Sequence, residues 1–81
     1  MSDGELLAHI GSTLRQHREK QGLTQSELAS RVATSQATVA RIERGARAPS
    51  VAMLERLFAV LGWRVRLALE PLDGTQNPVP R

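Results

Sequence analysis

The chain has 81 residues, a formal net charge of +3 and no cysteine, which bounds it to one small domain with a thin core and excludes a disulfide framework or a cysteine-based metal site. No stretch approaches the ~18 apolar residues of a membrane span, and the opening "MSDGELLAHIG" has neither a basic leader nor a long apolar run, so a soluble cytoplasmic protein is expected. The charge is uneven: from Arg15 to Arg66 ten basic residues stand against four acidic ones, while the flanks hold Arg81 against Asp3, Glu5, Glu70 and Asp73.

Residues 5 to 21, "ELLAHIGSTLRQHREKQ", place Leu6, Leu7, Ile10 and Leu14 at helical spacing, with Gly22 as a stop. Thr24, three residues before Glu27, is a capping-box signature for a second helix whose inner stripe is Leu28, Ala29 and Val32. After the short break "ATS", Thr34 or Ser35 caps a third helix that runs to about Arg44 and ends at Gly45. "ARAPS" is a loop, because the residue before Pro49 is pushed out of helical geometry. Ser50 caps a fourth helix with Val51, Leu54, Leu57, Phe58 and Leu61 inside and Gly62 as its stop. In "WRVRLALEP", residues 63 to 71, the period changes to two: Val65, Leu67 and Leu69 alternate with Arg64, Arg66, Ala68 and Glu70, and Pro71 closes the run. A lone strand leaves its backbone groups unpaired, and the simplest partner is the same strand of a second copy. The alternative is that helix 4 runs on through 63 to 69 and the alternation is accidental. The polar, proline-rich end, residues 71 to 81, is expected to be disordered.

Helices 2 and 3, separated by so tight a break, form a helix-turn-helix arrangement. At about 100° per residue, with Val39 inward, Ile42 lies about 60° to one side and Glu43 about 40° to the other. The opposite side holds Ala37, Ala40, Arg41 and Arg44, flanked by Gln36 and Thr38 at the amino end. Small residues with an amide and arginines suit a DNA major groove. Alanine permits close approach, Gln reads adenine and Arg reads guanine, each through two hydrogen bonds. Of the eleven cations ten are arginine; that suits phosphate and guanine, but a GC-rich genome gives the same ratio, so the placement of charge carries more weight. On the inner side Glu43 needs a partner. Arg18, at the edge of the helix 1 stripe, is expected to form a partly buried ion pair with it.

The stretch "GLTQSELASRVATSQATVARIERGARAPS", residues 22 to 50, resembles the phage-repressor (Cro/C1, or XRE) type of helix-turn-helix domain. The likeness is carried by Leu23-Thr24-Gln25, Leu28-Ala29, Ser35-Gln36, Thr38-Val39, Ile42-Glu43-Arg44-Gly45 and Pro49. It implies an all-α, compact four-helix lambda-repressor-like domain over residues 5–62. Many domains of this type have a fifth helix next, whereas the alternation at 63–70 points to a dimerisation strand carrying Val65, Leu67 and Leu69. The resemblance further implies that Gln25 contacts phosphate and supports the base-reading Gln, and that Ser35 and Thr38 touch phosphate or the groove edge. Gln36, Ala37 and Arg41 fall at base-reading positions, with Ala40 beside them, and Arg44 and Arg47 fall along the DNA backbone. The Arg18 and Glu43 positions match a buried pair of the family. Ala37 and Ala40 are shorter than the residues many relatives carry, which leaves most direct readout to Gln36 and Arg41. The ending "LGWRVRLAL" is similar to HipB-type antitoxins, small repressors that pair by carboxy-terminal strands, bind a toxin and repress their own operon.

The expected function is a homodimeric transcription regulator, a repressor, on a pseudo-palindromic double-stranded DNA operator, with no cofactor or metal. A protein-interaction module for a toxin, with DNA binding secondary, is the alternative. Enzyme chemistry is disfavoured: His9 and His17 stand eight apart, too far for an i,i+4 metal pair, and no nucleophile set or phosphate loop is present. With only Phe58 and Trp63 aromatic, no stacking platform for RNA is apparent.

Overall fold

The computed structural model describes residues 2–72. Four helices follow in order: α1 (Asp3–Lys20), α2 (Gln25–Arg31), α3 (Gln36–Glu43) and α4 (Val51–Val60), with no strand among the described residues. Each helix starts on a hydroxyl side chain that accepts a backbone N–H: Ser2, Thr24, Ser35 and Ser50. At α1 and α2 a glutamate three residues on returns the bond to the cap, so orphan donors are satisfied reciprocally. Helix 1 therefore begins at Asp3 rather than near residue 5. Its start is set by the Ser2–Glu5 capping box.

The core is one cluster. Leu14, Leu28, Val39, Ile42, Leu57 and Leu61 are essentially sealed from solvent; burying side chains of this size stabilises by roughly 1.5–3 kcal/mol each before entropy is counted. Helix 3 packs on both α1 and α2, and α4 closes the far side of α2. The closest approach is at Gly11. A Cβ there would lie 2.6 Å from the backbone oxygen of Glu43 and collide with that of Ile42. The missing side chain is what lets the end of α3 sit down on α1.

Two expectations about the apolar stripes fail. Val51 is 65% exposed and Leu6 46% exposed. Both lie in the first turn or two of a helix, on a rim of the molecule that no other described element covers. After Gly62, which takes φ +86°, helix 4 does not run on, and residues 63–71 are neither helix nor paired strand. Val65 packs against the core, whereas Leu67 and Leu69 stand almost fully in solvent. A strand needs a second strand, and one chain alone supplies none. Beyond Leu72, the tail expected to be disordered lies outside the described residues.

Candidate nucleic-acid interface

Residues 32–35 turn the chain from α2 into α3. Ala33 takes φ +57°, the left-handed region that a β-carbon disfavours. The turn is held from three sides. Thr34 N–H donates to Ala29 O at 2.9 Å, Ser35 Oγ accepts from Thr38 N–H at 3.1 Å, and Arg56 reaches over from α4 to donate through Nη2 to Val32 O at 2.6 Å. This last contact ties the end of α2 to α4. Nothing local in the sequence announces it, since it depends on α4 folding across the turn.

Helix 3 is two-sided. Val39, Ile42 and Glu43 face in, while Gln36, Ala37, Arg41 and Arg44 are exposed and Ala40 is half-buried. Thr38 lies on the inner side of the boundary at 8% exposure. Its hydroxyl is engaged with Ser35 Oγ at 2.9 Å and accepts from Arg47 Nη1 at 3.4 Å. The loop arginine is thereby drawn back beside the start of α3.

The structure brings Arg18 and Glu43 together. Arg18 Nε donates to Glu43 Oε2 at 2.6 Å and Nη2 to Oε1 at 3.0 Å, a bidentate fork, while Nη1 donates to Leu23 O at 2.8 Å. Both side chains are nearly dry, 10% and 3% exposed. The hydrogen bond to Glu43 pushes the Arg18 guanidinium above its usual range, against burial, which works the other way. The charge is therefore permanent.

A second partner of Glu43 carries the order outward. Gln25 Nε2 donates to Glu43 Oε1 at 2.9 Å, and Gln36 Nε2 donates to Gln25 Oε1 at 2.7 Å. The direction of this relay follows from chemistry. An ionised carboxylate only accepts, so Gln25 must offer it the amide NH₂ and turn its oxygen towards Gln36. Gln36 must then spend one N–H on Gln25, leaving its second N–H and its oxygen facing solvent. A buried carboxylate at the end of α3 thus sets, through α2, the orientation of an amide on the exposed face at the start of the same helix. Among the described residues no buried side-chain nitrogen or oxygen lacks a partner.

Sequence reasoning placed Gln25 and Gln36 on the exposed side of the motif and Arg18 and Glu43 beneath it. The support of Gln36 by Gln25 and the Arg18–Glu43 pair were both expected; the bond from Gln25 to Glu43 that joins them into one chain was not. Sequence reasoning missed Gly11 and Arg56 altogether, since both act through elements distant in sequence.

Comparison with known proteins points the same way. The chain is 41% identical over 49 residues to an uncharacterised HTH-type transcriptional regulator of Methanothermobacter thermautotrophicus, covering 60% of this chain and 71% of that one. It is 34% identical over 68 residues to the HTH-type transcriptional regulator SinR of Bacillus licheniformis, covering 83% of this chain and 61% of the relative. With an uncharacterised HTH-type transcriptional regulator, y4dJ, of Sinorhizobium fredii it shares 36% identity over 66 residues, 82% of this chain and 86% of the relative. A helix-turn-helix family model matches residues 14–64, which takes in the second part of α1, all of α2, α3 and α4, and every member of the Arg18–Glu43–Gln25–Gln36 relay. The chain belongs to the helix-turn-helix family of Cro/C1 (XRE) type.

Proposed function

We propose that the protein is a DNA-binding transcription regulator that acts as a homodimeric repressor on a pseudo-palindromic operator. The observation that carries this reading is the exposed face of α3, where Gln36 is held in one orientation by the relay from Glu43. The free N–H and oxygen of Gln36 match the N7 acceptor and N6 donor of adenine in the major groove. Arg41, exposed one turn on, reads guanine. Ala37 and Ala40 let the helix approach closely and present methyl groups to thymine. Arg44 and Arg47, with Gln25 and Ser35 at the amino ends of α2 and α3, contact the DNA backbone, and Thr38 serves by steadying Arg47. Residues 5–62 are the DNA-binding unit and residues 63–70 the dimerisation segment, in which exposed Leu67 and Leu69 call for a cover.

Binding measured against operator and random DNA at several salt concentrations tests this assignment. Arg41→Ala should cost roughly 1–3 kcal/mol at one base position per half-site. Arg44→Ala should weaken all sequences alike and flatten the salt dependence by about one phosphate contact per subunit. If Arg41→Ala leaves the preference for operator unchanged, the readout assignment is wrong.

An antitoxin role, in which the same dimer also neutralises a partner toxin and represses its own operon, extends this reading. It is supported by the character of the 63–70 segment alone. A gel shift on the protein's own promoter, with and without the product of the adjacent gene, separates a regulator from a toxin-binding module for which DNA is secondary.

A further inference from the structure

Between α1 and α4 runs an apolar groove of about 670 Å³, within the ~300–1,000 Å³ range of small-molecule sites. Leu6 and Ile10 line it from α1, Val51 and Leu54 from α4, and Val65 and Leu67 from the segment after Gly62. Its charge is one-sided. Arg64, Arg66, His9 and His17 also line it, and among the described residues no carboxylate does. The ion pairs found among the described residues, Arg15–Glu19 and Arg18–Glu43, involve neither Arg64 nor Arg66. Arg64 also borders a smaller hollow beside Glu55, which leaves Arg66 as the principal cation of the groove.

The rings at one end of the groove are engaged with one another. The His17 ring lies 4.7 Å from that of Trp63, tilted by 49°, and meets Phe58 edge-on at 6.2 Å. The remaining apolar lining is aliphatic. It offers a hydrocarbon chain burial and dispersion contact, and it offers a planar ring nothing to stack on.

We propose that this groove binds a free single-chain amphiphile with an anionic head, a carboxylate of fatty-acid type. The chain lies along Leu6, Ile10 and Leu54, and the carboxylate meets the Arg66 guanidinium, whose fork of N–H donors matches its two oxygens. A neutral hydrocarbon leaves the arginine end unused, and a cationic amphiphile meets like charge there. The exposed Leu69 and Leu72 do not line the groove. The site lies within one chain, goes beyond the DNA-binding reading and does not depend on it.

Trp63 is the only tryptophan of the chain. It lines the groove and is 55% exposed, so its fluorescence reports occupancy. The full chain is titrated with decanoate, kept below its micelle-forming concentration, and with decyltrimethylammonium, which has the same chain and the opposite charge. Decanoate is expected to shift the emission to the blue saturably and to bind about tenfold tighter than the cation. From hexanoate to decanoate, each added methylene should tighten binding about two- to fourfold. Arg66→Gln should reduce the preference for the anion about tenfold. Leu6→Glu, at an exposed position, sets a carboxylate in the groove and should weaken decanoate by a similar factor. Melting followed by circular dichroism checks that both variants fold; if either does not, the head-charge and chain-length comparisons on the unmodified chain decide. Equal affinity for the two amphiphiles overturns the anionic head, and indifference to chain length overturns the apolar site. No response to decanoate, in dilute and concentrated protein alike, overturns the ligand; in a chain that sediments as a dimer it gives the groove to the second copy. A response to phosphatidylglycerol vesicles alone makes the surface a membrane contact and overturns the proposal. Operator binding is measured on the same samples: a chain that binds operator but not decanoate loses this inference and keeps the DNA-binding reading.

Discussion

Glu43 is an acid with only 3% of its side chain exposed, and its side-chain partners are all hydrogen-bond donors. Three donors converge on it, two from Arg18 and one from Gln25. A buried pair of this kind adds little net stability, but removing one partner leaves the other uncompensated. Glu43→Ala should therefore cost about 3–5 kcal/mol and lower the melting temperature by more than ~10 °C; calorimetry showing a change within a degree would contradict the role given to the pair. Gly11 makes the complementary point about space. Alanine is the better helix former by about 1 kcal/mol, yet its Cβ would press on the carbonyls that end α3. Gly11→Ala should destabilise by about 1–3 kcal/mol in urea titration. Gly4→Ala, on the same helix, where a Cβ would meet only Ser2 Oγ in ordinary contact at 4.0 Å, should be neutral or stabilising. Equal effects at the two positions would mean that the α1–α3 approach is looser than described.

At the scale of the element, the helix starts are governed by local chemistry and were largely legible. Thr24, Ser35 and Ser50 cap the helices they were expected to cap, because a hydroxyl followed by a helical run carries its own physical reason. The Glu27 carboxyl at the first of these caps is held below its ordinary value near 4.5, chiefly by the backbone N–H of Thr24 and then by its hydroxyl. A carboxylate with a lowered folded-state pKa contributes stability that is complete above the unfolded value and is lost as pH falls through the folded one. The margin by which the native chain exceeds Glu27→Gln should accordingly shrink as pH drops below about 4.5. A margin that is constant from pH 7 to pH 3 would show that the box contributes nothing. What was not legible is where elements approach one another. The Arg56 bond to Val32 O and the exposure of Val51 both depend on where α4 lies over α2. Helical periodicity ranks the faces of α4 without saying how far the neighbouring helix extends beneath each turn. The candidate site divides in the same way. Periodicity separated inward Val39 and Ile42 from outward Ala37 and Arg41, while the link through Gln25 needed three helices in place.

For the whole molecule, a small core and a bare apolar edge belong together. A domain of this size buries a modest fraction of its surface, and association adds stability by mass action. If two copies meet through residues 63–71, the two α3 helices address half-sites about 34 Å apart, one turn of DNA. Inserting ~5 base pairs at the centre of the operator turns one half-site to the far side of the duplex. Affinity should then fall towards that of a single domain, a loss of roughly a hundredfold or more, while insertion of a full turn restores part of it if the segment yields. Binding that is indifferent to the insert would mean that each domain engages DNA alone.

The relay from Glu43 to Gln36 also bears on how such a protein changes its target over generations. Gln36 is bound into the scaffold through Gln25, so replacing it disturbs a bond that ends on a buried charge. Ala37, Ala40 and Arg41 hold no hydrogen bond of that network. On the proposed readout, new operator preferences are most accessible through these three positions, where a substitution alters what is read without loosening the reader. One locked letter beside three free ones would then let paralogues diverge in address while keeping a common frame.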